Sequence, residues 1–189
     1  MKPIGEISKY LCYILRHHPD EIGAAHEVMD EHGWVSVDTL IDGVNRKGKY
    51  HITPQVLEMI VSTDGKGRYR FDETHSKIKC CQGHSIDWVI PEVEIKAPPE
   101  FLYHGTTAEA FEKIKAIGHI SKMSRHAVHM QADPDKAKQS AQRWHRTPVI
   151  LKISALQMYK DGYEFGVTEN NVWCVESVPV EFVAECIYL

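Results

Sequence analysis

Arg16 and His17 stand side by side at the end of the segment EISKYLCYILR, just before His18-Pro19. A guanidinium beside an imidazole can grip an anion and move a proton. The same pair equally suits the C-terminus of a helix, where cations meet the negative end of the dipole. A second basic group follows. Arg46, Lys47, Lys49, Lys66, Arg68, Arg70, Lys77 and Lys79 give residues 46–79 eight basic against four acidic groups, whereas residues 1–45 hold three against eight and residues 80–189 eleven against fourteen. This stretch reads either as a solvated hairpin and loop or as a short footprint for a phosphate backbone, and charge leaves both open. The net charge of −4 excludes a globally basic nucleic-acid coat.

Twelve histidines and five cysteines raise the question of a metal. Cys80, Cys81 and His84 lack the second ligand pair that zinc spacing requires. His126 and His129, three apart in a segment predicted as strand, should face opposite ways. No metal site is expected. The cysteines Cys12, Cys80, Cys81, Cys174 and Cys186 are odd in number and imply no disulfide framework; they are expected to be buried or idle thiols. His104 ends a predicted strand beside Gly105, whose missing side chain would let a ligand approach the backbone. Neither a Rossmann fingerprint nor a Walker phosphate loop occurs, so a nucleotide, if bound, binds by another geometry.

The elements that must position these groups follow from periodicity and punctuation. Ile7, Tyr10, Leu11, Ile14 and Leu15 recur at helical spacing over residues 6–16, and Pro19 closes that helix. HGWVSVDTLIDGVN predicts a short strand and then a helix capped by Ser36. Thr53-Pro54 predicts an N-cap with proline at the first helical position. RYRFD and KIKCC predict two strands around a turn at residues 73–76. Three helices and a β-wing suggest a winged-helix module over residues 1–92. Residues 91–99, PEVEIKAPP, predict a proline-rich linker with few local partners.

Beyond it, FLYHGT, AVHMQ, PVILKIS, GYEFGV, NVWCV and VAECIYL predict strands. TAEAFEKIKAIG predicts a helix ended by Gly118, and DPDKAKQSAQRWH a helix started by Asp133-Pro134. Short strands between turns make the class α+β, with a second module at residues 98–189. No apolar run is long enough to span a bilayer, and the start lacks the apolar core of a secretory signal, so the cytoplasm is the expected location.

Together the motifs resemble one family. LCYILRHHPDEIG is similar to the opening helix of the RNA 2′-phosphotransferases, which ends in an Arg-His pair. DGKGRYRF resembles their Lys-x-Arg-aromatic element, QGHSI a short internal motif, and FLYHGT, SRHAVHM and NNVWCVESVPVEFV the three landmarks of their NAD⁺-binding lobe. The resemblance covers most of residues 8–183 in order. It implies an N-terminal winged-helix lobe that handles RNA and a C-terminal lobe similar to ADP-ribosyltransferases, which bind NAD⁺ in a cleft of two small sheets. The family's catalytic quartet falls on Arg16, His17, Arg68 and Arg125, expected to converge on one phosphate. His104, Gly105 and Thr106 would hold NAD⁺, with His129 on a neighbouring strand and Arg143 matching a further cofactor-side arginine. Two departures occur. The family's usual Asn-Gly before Val-Trp is Asn170-Asn171 here, and a Gly-x-Arg-His-Gly-like stretch becomes residues 141–146, Ala-Gln-Arg-Trp-His-Arg, with one residue inserted.

The implied reaction consumes NAD⁺ as co-substrate. The RNA 2′-phosphate attacks C1″ of the nicotinamide ribose and expels nicotinamide. The ribose 2″-hydroxyl then attacks the phosphorus, releasing 2′-hydroxyl RNA and ADP-ribose 1″,2″-cyclic phosphate. The expected partners are RNA bearing a 2′-phosphate and NAD⁺, with no membrane, and the expected state is a monomer. Two rivals stand beside this reading. A mono-ADP-ribosyltransferase acting on nucleic-acid ends or protein would stop after the first step and has no need of the Arg16–His17–Arg68 set. A non-catalytic winged-helix RNA binder needs neither His104-Gly105-Thr106 nor Arg125.

Overall fold

The computed structural model describes residues 3–143 and 146–189. The chain divides into two units, Met1–Glu92 and Val93–Leu189, each with its own hydrophobic core. Both mix helix and sheet, so the class is α+β. Among the described residues no helix is long and apolar enough to cross a membrane.

In the first unit α1 spans Ile4–His17, α2 Ala25–Val28, α3 Val37–Arg46 and α4 Pro54–Ser62. Strands β1 (Val35–Ser36), β2 (Tyr69–Phe71) and β3 (Lys77–Cys80) form a sheet in the order β1-β3-β2, antiparallel throughout. The apolar stripe of α1, namely Ile7, Leu11, Ile14 and Leu15, is buried against Leu40, Leu57, Ile60 and Ile78. Removing one such side chain costs roughly 2–5 kcal/mol. The helix stops at His18 because the residue before a proline avoids the α region. Ser36 accepts from Thr39 N–H and Thr53 from Val56 N–H, each cap satisfying a donor the helix itself leaves unpaired. The turn between β2 and β3 is tied by the Asp72 carboxylate, which accepts from Lys77 N–H at 2.8 Å and from the Thr74 hydroxyl at 2.7 Å.

In the second unit the order is β4 (Glu94–Ile95), β5 (Leu102–Thr107), α5 (Ala108–Ile117), β6 (His119–Ser121), β7 (Val128–Met130), α6 (Pro134–Ala141), β8 (Pro148–Ile153), α7 (Ala155–Lys160), β9 (Gly166–Val167), β10 (Trp173–Val175), β11 (Ser177–Pro179) and β12 (Val183–Tyr188). They form sheets β4-β9-β10-β7, β12-β8-β5 and β11-β6. Tyr103 of β5 exchanges both backbone hydrogen bonds with Gln131, just past β7, at 2.8 and 2.9 Å. That bridge ties the two larger sheets. Leu102, Met130, Leu151, Ile153, Met158 and Phe165 fill the core.

Residues 91–99, expected to have few local partners, hold a short strand with distant ones: Glu94 and Ile95 pair with Val167 and Gly166, and Lys96 N–H donates to the Phe165 carbonyl at 3.0 Å. The proline content hid a strand of two residues whose partner lies some seventy residues on. Of His126 and His129, only His129 lies on a strand. The helix predicted over residues 133–145 ends at Ala141, and its last two residues, Trp144 and His145, lie outside the described residues.

Candidate functional site

Residues four apart on a helix share a face. Ser8, Cys12 and Arg16 stand at that spacing on α1, and they meet Arg68 and Tyr69 at the start of β2. Arg68 Nη2 donates to Ser8 Oγ at 3.0 Å; Ser8 Oγ lies 3.0 Å from the Tyr69 hydroxyl, which also donates to the Ser8 carbonyl; and Cys12 Sγ lies 3.1 Å from that hydroxyl. The Asp64 carboxylate, with a side chain only 3 % exposed, accepts from Arg68 Nε at 2.9 Å and Nη2 at 2.7 Å. Burial would raise the Asp64 pKa, but the hydrogen bonds and charge of Arg68 hold it below its ordinary value.

Arg16 is treated differently. Its Nε and Nη2 are buried and meet no hydrogen-bond acceptor among the described residues. The loop carrying QGHSI closes over it. A Cβ placed on Gly83 would lie 3.5 Å from Arg16 Cζ, and Ser85 N–H donates to the Arg16 carbonyl at 3.0 Å. Burial disfavours the Arg16 charge, yet the Cys80 and Cys12 sulfurs beside it raise its pKa above the ordinary arginine value. In return the Cys12 thiol is lowered, first by its hydrogen bond with Cys80 and then, against the effect of burial, by the Arg16 charge. Burial pushes the Cys80 thiol up. His17 Nδ1 lies 2.8 Å from Ser85 Oγ, which fixes the ring's orientation.

Of the quartet, Arg16 and Arg68 both flank Cys12, His17 is held by Ser85 on the loop whose N–H bonds the Arg16 carbonyl, and Arg125 lies on the second unit. Ser8, Asp64, Tyr69 and Ser85 stand with the first three and were not singled out from the sequence, and Cys12 was expected only as a buried or idle thiol. The spacings Ser8–Cys12–Arg16 and Asp64–Arg68 were the available signal, as was the serine of QGHSI.

The second unit carries the other candidates. His104 is the third residue of β5, and its Nδ1 lies 3.0 Å from the His129 carbonyl on β7. A carbonyl only accepts, so Nδ1 holds the proton and Nε2 keeps its lone pair. Burial lowers the His104 pKa, and this outweighs the bond to His129; the Arg125 charge acts in the same direction as burial. His104 is therefore a neutral imidazole with an accepting Nε2 at neutral pH. Arg125 is exposed in the turn before β7, with its N–H donating to the Lys122 carbonyl at 3.1 Å, and its charge reaches His104. His129 pairs with Cys174 of β10, and Thr106 is buried opposite Val149 of β8. Arg143 is exposed just past α6, its Nε donating to the Ser140 carbonyl at 3.2 Å.

Gly105 requires a correction. A Cβ there would lie 2.2 Å from the Ala137 carbonyl oxygen and 2.9 Å from Ala141 N, both backbone atoms of α6. The glycine lets α6 pack on β5; room for a ligand is not what demands it.

Asn171 has φ +59°, in the left-handed region that glycine enters without penalty and asparagine tolerates better than most residues. Asn171 can therefore take the left-handed place in the turn before β10 that the resemblance expected glycine to fill.

The first unit thus buries the Arg16 guanidinium beside Cys12 and Cys80, and the second holds a neutral histidine on its sheet; sequence comparison gives the class. The pattern of the RNA 2′-phosphotransferase, Tpt1 / KptA family matches residues 2–177, and the chain belongs to that family of transferases. It is 39% identical over 182 residues to a probable RNA 2′-phosphotransferase of Escherichia coli O6:K15:H31 (strain 536 / UPEC), covering 96% of each chain. It is 39% identical over 178 residues to a probable RNA 2′-phosphotransferase of Fusobacterium nucleatum, covering 94% of this chain and 96% of the relative. The RNA 2′-phosphotransferase of Escherichia coli (strain K12) is 38% identical over 182 residues, with 96% of each chain covered.

Proposed function

We propose that the chain is an NAD⁺-dependent RNA 2′-phosphotransferase, with a winged-helix unit that takes the RNA and an ADP-ribosyltransferase-like unit that takes NAD⁺. The observation that carries this reading is Arg16. Burying cationic N–H donors without an acceptor is costly. A protein that keeps two of them does so where an anion of fixed geometry completes the bonds, and a guanidinium fork matches phosphate oxygens. Arg68, held by Asp64 and Ser8, is a second cation already set in position. His17, with Nδ1 engaged by Ser85, meets a phosphate oxygen through Nε2.

The first step needs placement more than a base, because a phosphate monoester is already anionic near neutral pH. One phosphate oxygen bonds to C1″ while the C1″–N bond breaks, and nicotinamide leaves with the electron pair. Aligning two bound reactants supplies on the order of 7–11 kcal/mol in favourable cases. The neutral His104 suits the NAD⁺ side, since its Nε2 can accept from a ribose hydroxyl without placing a positive charge beside an oxocarbenium-like ribose. In the second step the 2″-oxygen bonds to phosphorus and the RNA 2′-oxygen leaves, gaining the proton that the 2″-hydroxyl loses. Arg16 and Arg68 hold the charge on the equatorial oxygens, where preorganised donors act most strongly. Arg125 is assigned a share in that charge by the family resemblance.

The test is a short 2′-phosphorylated RNA incubated with and without NAD⁺. Nicotinamide, 2′-hydroxyl RNA and ADP-ribose 1″,2″-cyclic phosphate should appear only with NAD⁺. A persistent ADP-ribose adduct on the RNA would favour the mono-ADP-ribosyltransferase, and no nicotinamide release would sink both.

A further inference from the structure

α1 presents a second polar face. Tyr10, Tyr13 and His17 stand at positions i, i+3 and i+7, one side of the helix from Ser8, Cys12 and Arg16. The Tyr10 and Tyr13 rings are nearly parallel, 15° apart with centroids at 6.2 Å, and His18 stacks on Tyr13 at 4.3 Å. Tyr50, after α3, leans on Tyr10 at 5.1 Å. Lys49 Nζ sits 4.8 Å from the Tyr10 ring centre and 5.5 Å from that of Tyr50. Lys9, Tyr10, Tyr13, Lys47, Lys49 and Tyr50 line an open groove of about 590 Å³. Two glutamates also line it, and one of them, Glu21, is paired with Lys47 at 2.8 Å. Tyr10 and Tyr50 are anchored on the unit's core, while Tyr13 is 40% exposed. Lys47 and Lys49 belong to the basic stretch at residues 46–79 that Arg68 alone does not explain.

From this we infer that the groove binds single-stranded nucleotides flanking the 2′-phosphorylated residue, with bases on the tyrosines and backbone phosphates on the lysines. The inference rests on the proposed function for which RNA is bound, but its chemistry is its own. Anchored aromatic rings are platforms for any base, and lysines between them track the phosphates. An acidic peptide would use the lysines and leave the exposure of the Tyr13 ring unexplained. Register supports continuity with the phosphate site. At 1.5 Å per residue Tyr13 and Tyr10 lie about 6 Å and about 10 Å along the axis from His17, within reach of the next nucleotide or two.

The experiment uses the full chain with three probes of one sequence: a 2′-phosphorylated dinucleotide, a 2′-phosphorylated octamer and the same octamer with a plain 2′-hydroxyl. Tyr13→Ala should weaken binding of both octamers by about ten-fold in fluorescence anisotropy, and Tyr13→Phe should restore it. Lys49→Ala should flatten the slope of log K against log salt by about 0.7. For the octamer KM should rise by a similar factor with kcat unchanged, while the dinucleotide's KM stays within about two-fold. Unchanged octamer binding in both Tyr13→Ala and Lys49→Ala would overturn the inference. So would an equal loss on the dinucleotide, which would place the effect at the phosphate itself. If the unmutated protein converts neither phosphorylated probe, the proposed function fails. The plain octamer would still report on the groove.

Discussion

The two arginines of the first unit do different things. Arg68 arrives already paired with Asp64, whereas Nε and Nη2 of Arg16 meet no acceptor among the described residues. Arg68 is thus positioned at some expense of field, and its largest effect belongs where charge develops on phosphorus. Cations around a nucleophilic phosphate stabilise ground and transition states alike, which does little for the first step. Arg68→Ala, and by resemblance Arg125→Ala, should therefore accumulate RNA carrying a 2′-phospho-ADP-ribose adduct, with the second step slowed by about 10²–10³. A gel time course with radiolabelled 2′-phosphate RNA decides; loss of activity with no adduct at any time would refute the assignment of steps. Cys12 offers a separate readout. Its thiol is held below the ordinary range while burial pushes that of Cys174 up to about 12. Iodoacetamide at pH 7 should label Cys12 well before Cys80 or Cys174, and 2′-phosphorylated RNA should protect it. Mass spectrometry of the peptides reads this directly.

At the scale of elements, what was legible was whatever local chemistry determines. Ser36, Thr53-Pro54 and Asp133-Pro134 announced helix starts, Gly118 announced a stop, and each does so with the expected side-chain bond or left-handed φ. What escaped was non-local. Glu94-Ile95 is a strand only because Gly166-Val167 lies alongside, and prolines around it argued the other way. Gly105 looked like room for a ligand because nothing nearby in sequence betrays that Ala137 of α6 presses on it. The α1 face bearing Ser8 and Cys12 was readable by spacing, but Arg68 and Tyr69, some sixty residues on, give that face its meaning. The Gly105 correction makes a prediction. Gly105→Ala should lower stability by about 1–3 kcal/mol as α6 is pushed off β5. His104→Ala should impair NAD⁺ use with a smaller stability loss and RNA binding intact. Denaturant melts beside nicotinamide-release assays separate the two; matching profiles would make His104 a structural residue.

For the whole molecule, pH enters through His104. Its folded pKa lies below the ordinary histidine value, whereas the unfolded chain binds that proton near about pH 6.5. Above that pH neither state is protonated and the group adds no slope. As pH falls from there towards the folded pKa, the unfolded state takes up the proton first and stability drops. Melting temperatures from pH 7.5 to 5 should fall less steeply in His104→Gln than in the unmutated protein; parallel curves would contradict the neutral assignment. The buried donors of Arg16 extend the same linkage to anions. A fold that leaves charged N–H groups unmatched is at its least stable when empty, so occupancy and stability become one equilibrium. Inorganic phosphate at a hundred times its dissociation constant would stabilise the chain by about 2.7 kcal/mol and compete with RNA at the same time. In a cell the resting enzyme would then be a buffered population, protected against unfolding by the ion that also slows it, and released to work when RNA outbids that ion for the guanidinium.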